Sequence, residues 1–343
     1  MDKIKCAAIL GDFGNPRDRF MTVGYRPDAP SILESIRLAG RMEVLKGIET
    51  AEGEGSELNS RNKKEVSAAL KEQGLTLCAI SPNLWGETQW GRGTLSANDP
   101  KVRSAATDRI KHSMDLAAEL GCDYIGIWPG QDGYDYCLEI DYRHAYDWWV
   151  QGMQKCADHN PAMRLGLEYK PYEPRTHSLL DTCAKTLLIL SDINRASVGL
   201  TLDVGHALFA HENPGEVVAL AQRSGKLFHV HLNDNYGDWD WDLNFGSAHL
   251  FEWIELVYWL RHTNYQGWYS ADIFPYRTRG DASVEESLLW FQTICTLEDR
   301  LGQEKLDQII LQGDPLATSR FLRERLFGSD SLTAPDRRKK AGA

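Results

Sequence analysis

Eight short apolar runs alternate with eight longer stretches of helical periodicity along this chain, and no other feature narrows the fold as far. The runs cover residues 4–10, 44–50, 75–81, 123–128, 164–169, 198–203, 226–232 and 268–272. Short apolar runs separated by helical stretches are the sequence form of repeated βα units around a parallel sheet. An open, doubly wound sheet would show the same alternation. Here no Gly-x-Gly-x-x-Gly follows the first run, and polar residues collect at the ends of many strands. That distribution predicts the α/β class and a single (β/α)8 TIM barrel, whose reactive side chains gather at the carboxyl ends of its strands.

Local signals agree with the repeat. Asn98-Asp99-Pro100 and Asn213-Pro214 each place a capping side chain before a proline suited to the first helical position, while Gly74 and Gly121 stop helices just before strands. The barrel is expected to occupy residues 1–300. A C-terminal helical extension with an apolar stripe follows over 301–327, suited to packing on the barrel or on another subunit, and residues 328–343 hold too little apolar surface to fold. The long segment 82–99, with Trp85 and Trp90, is expected to cover the barrel mouth.

Composition excludes several classes. The 343 residues are 42% hydrophobic, enough for a large core, and a formal charge of −11 gives no footprint for a phosphate backbone. Nucleic acid is therefore not an expected partner. The opening has no signal-peptide pattern and no apolar stretch reaches membrane-spanning length, which predicts a cytoplasmic chain without membrane association. Seven cysteines in an odd count, without zinc-type spacing, read as reduced core residues.

The chemistry concentrates in residues 226–246, where a strand delivers His229-x-His231 and is followed by Asp238, Asp240 and Asp242 at alternate positions. Carboxylates crowded beside imidazoles repel one another and lose hydration unless cations neutralise them. Four consecutive strands end in a candidate ligand: Glu168, Asp203, His231 and Asp272. Three carboxylates and one imidazole suit a hard divalent ion such as Mn2+, Mg2+ or Co2+. A second ion follows from Asp203-x-x-His206 and from Asp240-x-Asp242, whose carboxylates share one side if that loop is extended, with Asp203 bridging the pair. Asp238 is an alternative to either neighbour. A single acid at a strand end is often only a helix cap, an explanation that four in succession strain. His229 is expected to face away from His231 as a supporting or core histidine, and the remaining histidines are read as surface residues.

The motifs LEYKPYEPR, LDVGH, FHVHLN, DWDLNFG and ADIFP, with IWPGQDGYDY after the fourth strand, resemble in order and spacing the successive metal and substrate motifs of the xylose isomerase family. The likeness covers roughly residues 75–277. It implies a first metal site of Glu168, Asp203, His231 and Asp272 and a second of Asp203, His206, Asp240 and Asp242. It further implies Lys170 as the group holding the substrate carbonyl oxygen, Trp128 as the wall under the sugar with Trp85 above the mouth, and Glu173 as an acid near His206. His206, Asp240 and Asp242 then belong to the catalytic machinery with Lys170.

Two departures stand out. Xylose isomerases carry an aspartate at the place of His231 and a glutamate at that of Asp203, and a histidine at the former is reminiscent of L-rhamnose isomerases. Their ring-opening histidine after the second strand has no counterpart, since no histidine precedes His112. Glu49, Glu52 or Asp12 remains for that task, unless a short or mostly open-chain substrate makes it unnecessary. The resemblance implies aldose–ketose isomerisation of a free monosaccharide by a metal-assisted hydride shift, with two divalent ions and, together with the C-terminal extension, a homodimer or homotetramer. Its competitors are a ketose 3-epimerase, a sugar-phosphate isomerase or keto-inositol dehydratase, and, in another class, a non-catalytic sugar-binding barrel. An endonuclease of the same superfamily would want more histidines and a basic face.

Overall fold

The computed structural model describes residues 4–27, 29–53 and 55–328, so the expected tail beyond Gly328 lies outside the described residues. Each predicted run contains a strand: β1 (Lys5–Ile9), β2 (Leu45–Glu52), β3 (Thr76–Pro82), β4 (Tyr124–Ile127), β5 (Arg164–Glu168), β6 (Val198–Asp203), β7 (Leu227–Leu232) and β8 (Trp268–Ala271). Each pairs in parallel with its successor, and β1 closes the ring on β8 with Ala8 opposite Ala271. The chain is thus the closed (β/α)8 barrel that the alternation predicts. Burial on both faces explains why the strands are continuously apolar; all six residues of β6 are buried.

Helices α1 (Ile32–Ala39), α2 (Lys63–Glu72), α3 (Pro100–Leu120), α4 (Tyr142–His159), α5 (Cys183–Ile193), α6 (Val204–Phe209), α7 (Pro214–Arg223), α8 (Leu250–His262) and α9 (Gly280–Leu301) complete the repeat. Their ends follow the capping signals. Asp99 accepts from Lys101 N at 2.8 Å and Asn213 from Gly215 N at 2.8 Å, while Gly74 and Gly121 take positive φ. Two further helices follow, α10 (Gln303–Gln312) and α11 (Pro315–Phe327). Phe321, Leu322 and Leu326 of α11 pack on the core, whereas Leu316 and Phe327 stay exposed. No described helix is long and apolar enough to cross a membrane. All seven cysteines are unpaired, and Cys137 alone among them is exposed.

Two devices shape the carboxyl end of the barrel. An antiparallel ribbon joins Gly133–Tyr134 to His177–Ser178, tying the segments that follow β4 and β5. Asp132, fully buried, accepts from Thr94 N at 2.6 Å, Ser96 N at 3.0 Å and Trp149 Nε1 at 3.0 Å, and so latches the 82–99 segment against the barrel.

Candidate functional site

The strand ends bring the predicted residues together by simple geometry. Glu168 and Asp203 are the last residues of β5 and β6, His231 is the penultimate residue of β7, and Asp272 follows β8. One ligand atom from each of these four lies within 4.8 Å of the others. His231 Nδ1 sits 3.1 Å from Asp272, 3.4 Å from Glu168 and 3.9 Å from Asp203. A second group shares Asp203 and adds His206 and Asp240 at the same spacing. His206, in the first turn of α6, sets Nε2 3.2 Å from Asp240 and Nδ1 3.3 Å from Glu168. Asp203 also caps α6 by accepting from His206 N at 2.8 Å, so the cap and the ligand are one residue.

Lys170 stands beside the second group. Its Nζ lies 2.7 Å from Asp240 and 2.6 Å from Glu173, and 5.3 Å from the centre of the Trp128 ring, which itself meets Trp85 edge-on at 5.5 Å. The ammonium therefore projects over an aromatic wall drawn from two separate segments of the chain.

Charge in this pocket is unbalanced. Burial pushes Asp203 up to about 7, aided by Asp272, Glu168 and Asp240 and opposed by His206. Burial acts against a charged His206, but Asp203 and Asp240 outweigh it and carry the ring to about 9. Asp240 is buried as well, yet Lys170 and His206 hold it well below the usual carboxylate range. Asp242 is raised well above that range by burial and by Asp240. With neutral imidazoles, the carboxylates Glu168, Asp203, Asp240 and Asp272 face Lys170 as the neighbouring cation, and Lys170 is already shared with Glu173.

Several buried atoms remain without a hydrogen-bond partner: His231 Nδ1, His206 Nδ1 and Asp240 Oδ1. Orphaned nitrogen lone pairs among buried carboxylates fit divalent cations, which take neutral imidazole and carboxylate oxygen together.

Four expectations need correction. His229 and His231 both turn into the barrel interior, because residues two apart on a strand share a face, and both reach Glu49. Glu173 pairs with Lys170 and not with His206; its backbone is left-handed, φ 63°, which redirects the side chain. Asp242 stands outside both ligand groups, since φ of 47° makes a turn where an extended segment was expected, although its carboxyl still faces the acidic centre. Asp238 is exposed and accepts from Trp241 Nε1 at 3.0 Å, so it does not replace its neighbours.

The three ring-opening candidates separate as well. Glu49 is taken up by the two histidines, and Glu52, three residues along β2, faces α3 and accepts from Ser113 Oγ at 2.6 Å. Asp12 lies buried in the turn after β1, within the field of Asp272, Glu49 and His231, and keeps Oδ2 without a partner. Pattern reading missed Asn233, whose Nδ2 donates to Asp203 Oδ2 at 2.9 Å. The signal was an amide two residues beyond His231 at the end of a buried strand.

Comparisons with known proteins agree with this architecture. The family model described as xylose isomerase-like TIM barrel matches residues 43–294. The xylose isomerase of Thermus thermophilus is 32% identical over 227 residues, covering 64% of this chain and 59% of that protein. The xylose isomerase of Thermus caldophilus matches with the same identity and coverage. The match thus spans about 59% of the length of these curated relatives. Among solved structures, a D-tagatose 3-epimerase-like protein superposes with a TM-score of 0.67 at 21% identity, covering 85% of this chain and 98% of the other. A D-psicose 3-epimerase from Clostridium cellulolyticum gives 0.66 at 15% identity, covering 85% and 99%. At these identities the structural likeness is one of fold. The family match extends over most of the barrel, from β2 into α9, and this chain belongs to the xylose isomerase-like TIM barrel family.

Proposed function

We propose that this chain is a divalent-cation-dependent aldose–ketose isomerase acting on a free monosaccharide, with residues 1–300 as its catalytic unit. The observation that carries the reading is the pair of ligand groups joined through Asp203, with Lys170 beside the second and Trp128 beneath it. Glu168, Asp203, His231 and Asp272 would hold one cation, and Asp203, His206 and Asp240 the other, with Asp242 close by. When bound, such cations supply Lewis acidity toward the hydroxyl and carbonyl oxygens of an open-chain sugar.

The remaining steps belong to the protein. Trp128 and Trp85 give the sugar an apolar face to lie on and keep water from it. Lys170 donates to the carbonyl oxygen, and its charge is worth most as negative charge develops there. Asp12, whose buried carboxyl is pushed well above the usual range by desolvation and by Asp272 and whose Oδ2 has no partner, is the candidate donor to a ring oxygen. Glu168, Asp203, Asp240 and Asp272 are committed as ligands, Glu49 to histidines and Glu173 to Lys170. With these acids engaged and Asp242 beside the second group, hydrogen passes from C2 to C1 with its electron pair, while the O2 hydroxyl gives up its proton as C2 becomes the carbonyl and O1, held by Lys170, takes one up to become the hydroxyl. A free sugar is favoured over a sugar phosphate because Asp240 and Glu173 already neutralise Lys170, and Arg26 is spent on the carbonyls of Gly14 and Thr278.

A second reading has an observation of its own. The group of Glu168, Asp203, His231 and Asp272 is complete without the second, and Asp242 stands apart, which suits a one-cation 3-epimerase. The first experiment is a screen of four- to six-carbon aldoses with the Mn2+- or Co2+-loaded chain, alongside metal analysis. Ketose formation is expected; a loaded chain that binds these sugars and converts none is a sugar-binding barrel instead.

A further inference from the structure

Beside the ligand groups the barrel interior holds a polar cluster of Glu49, expected as a ring-opening acid, His229, expected as a supporting or core histidine, and His231. Glu49 of β2 is buried and places one carboxylate oxygen 2.5 Å from His229 Nε2 and the other 3.1 Å from His231 Nε2. An ionised carboxylate only accepts, so both rings present Nε2–H to it. Glu49, His229 and His231 also form a group whose ligand atoms lie within 4.8 Å of one another, but the direct 2.5 Å and 3.1 Å separations are those of N–H···O hydrogen bonds, one to each oxygen of Glu49. Once Nε2 carries the proton, a neutral His231 has its free lone pair at Nδ1, the orphaned atom that faces Asp272, Glu168 and Asp203.

We infer that Glu49 is a positioning residue that fixes His231 in the Nε2–H tautomer, aiming Nδ1 at the cation, while His229 occupies the second carboxylate oxygen and keeps Glu49 from turning toward the metal. The inference rests on the cation reading given above. A carboxylate behind a ligating imidazole fixes the ring's orientation and raises its basicity. The arrangement is braced on its far side: His229 stacks on Tyr124 at 4.9 Å, and Tyr124 Oη meets Thr201 Oγ1 at 2.7 Å. The β2–β3 register also shifts between Ile48 and Glu49, a local irregularity of the kind that re-aims a side chain. His229 thus has a function that neither ligand nor plain core describes.

Nitrogen-15 NMR of histidine-labelled protein with Zn2+ as a diamagnetic probe tests this directly, with His231 assigned by its loss in His231→Gln. The expected spectrum has the His231 proton on Nε2 and a Zn2+-dependent shift at Nδ1. Coordination through Nε2 overturns the inference and leaves the cation reading standing, whereas Zn2+ binding that leaves His231 unshifted overturns both. Glu49→Gln keeps the volume and removes the charge; calorimetry should give Zn2+ binding weaker by about 10- to 100-fold. Unchanged affinity in that variant also overturns the assignment, and if Glu49→Gln does not fold, the wild-type spectrum still decides.

Discussion

Asp203 serves three partners at once: it caps α6, accepts from Asn233 and contributes to both ligand groups. Asp203→Asn keeps the cap, since asparagine caps helices as well, but removes the shared charge. Both cations should therefore weaken together, and elemental analysis of the dialysed variant should show joint loss. Retention of both would remove the bridging role. Lys170→Met preserves the aliphatic stem and deletes the ammonium, which should lower kcat by about 100-fold with metal content unchanged; an effect confined to KM would make Lys170 a uniform binding group. Cation affinity should also depend on pH. Without metal, His206 is protonated up to about 9 and Asp203 up to about 7, and both must lose protons to become ligands. Affinity should accordingly rise between about pH 6 and 9, with proton release visible as buffer-dependent calorimetric heats.

At the level of elements, the strands were legible because burial on both faces leaves little but apolar residues in them, and their polar ends marked the reactive face of the barrel. Segment 82–99 stood out in the sequence for its length and its tryptophans, of which Trp85 meets Trp128, although its latch on Asp132 did not. Two of the four side chains misjudged, Glu173 and Asp242, stand on non-glycine residues with positive φ, which no apolar pattern reveals. The Glu49–His229 contact joins residues 180 positions apart and becomes visible only when the barrel closes. Its supporting layer is tightly fitted. A Cβ added at Gly166 of β5 would stand 1.6 Å from Tyr124 Oη and 2.5 Å from Thr201 Oγ1. Gly166→Ala should therefore destabilise the fold by about 1–3 kcal/mol, as overpacking in a core does, and displace Tyr124 from His229. Urea unfolding measures this, and an unchanged midpoint would show the layer to be loosely packed.

For the molecule as a whole, the barrel places a crowded acidic centre at one end, and the central claim is that this centre moves hydrogen as hydride. In that reading the ligand acids are held by cations, Glu49 by histidines and Glu173 by Lys170, which leaves Asp242 and Asp12 as the unassigned acids, while Lys170 stands where carbonyl charge would develop. A hydride never exchanges with water, whereas a proton taken and returned by a base does. The decisive measurement is turnover of a converted aldose in D2O followed by NMR of the ketose. Hydride transfer leaves little deuterium at C1 and none at C3; near-complete exchange at C1 would establish an enediol isomerase instead, and deuterium at C3 an epimerase.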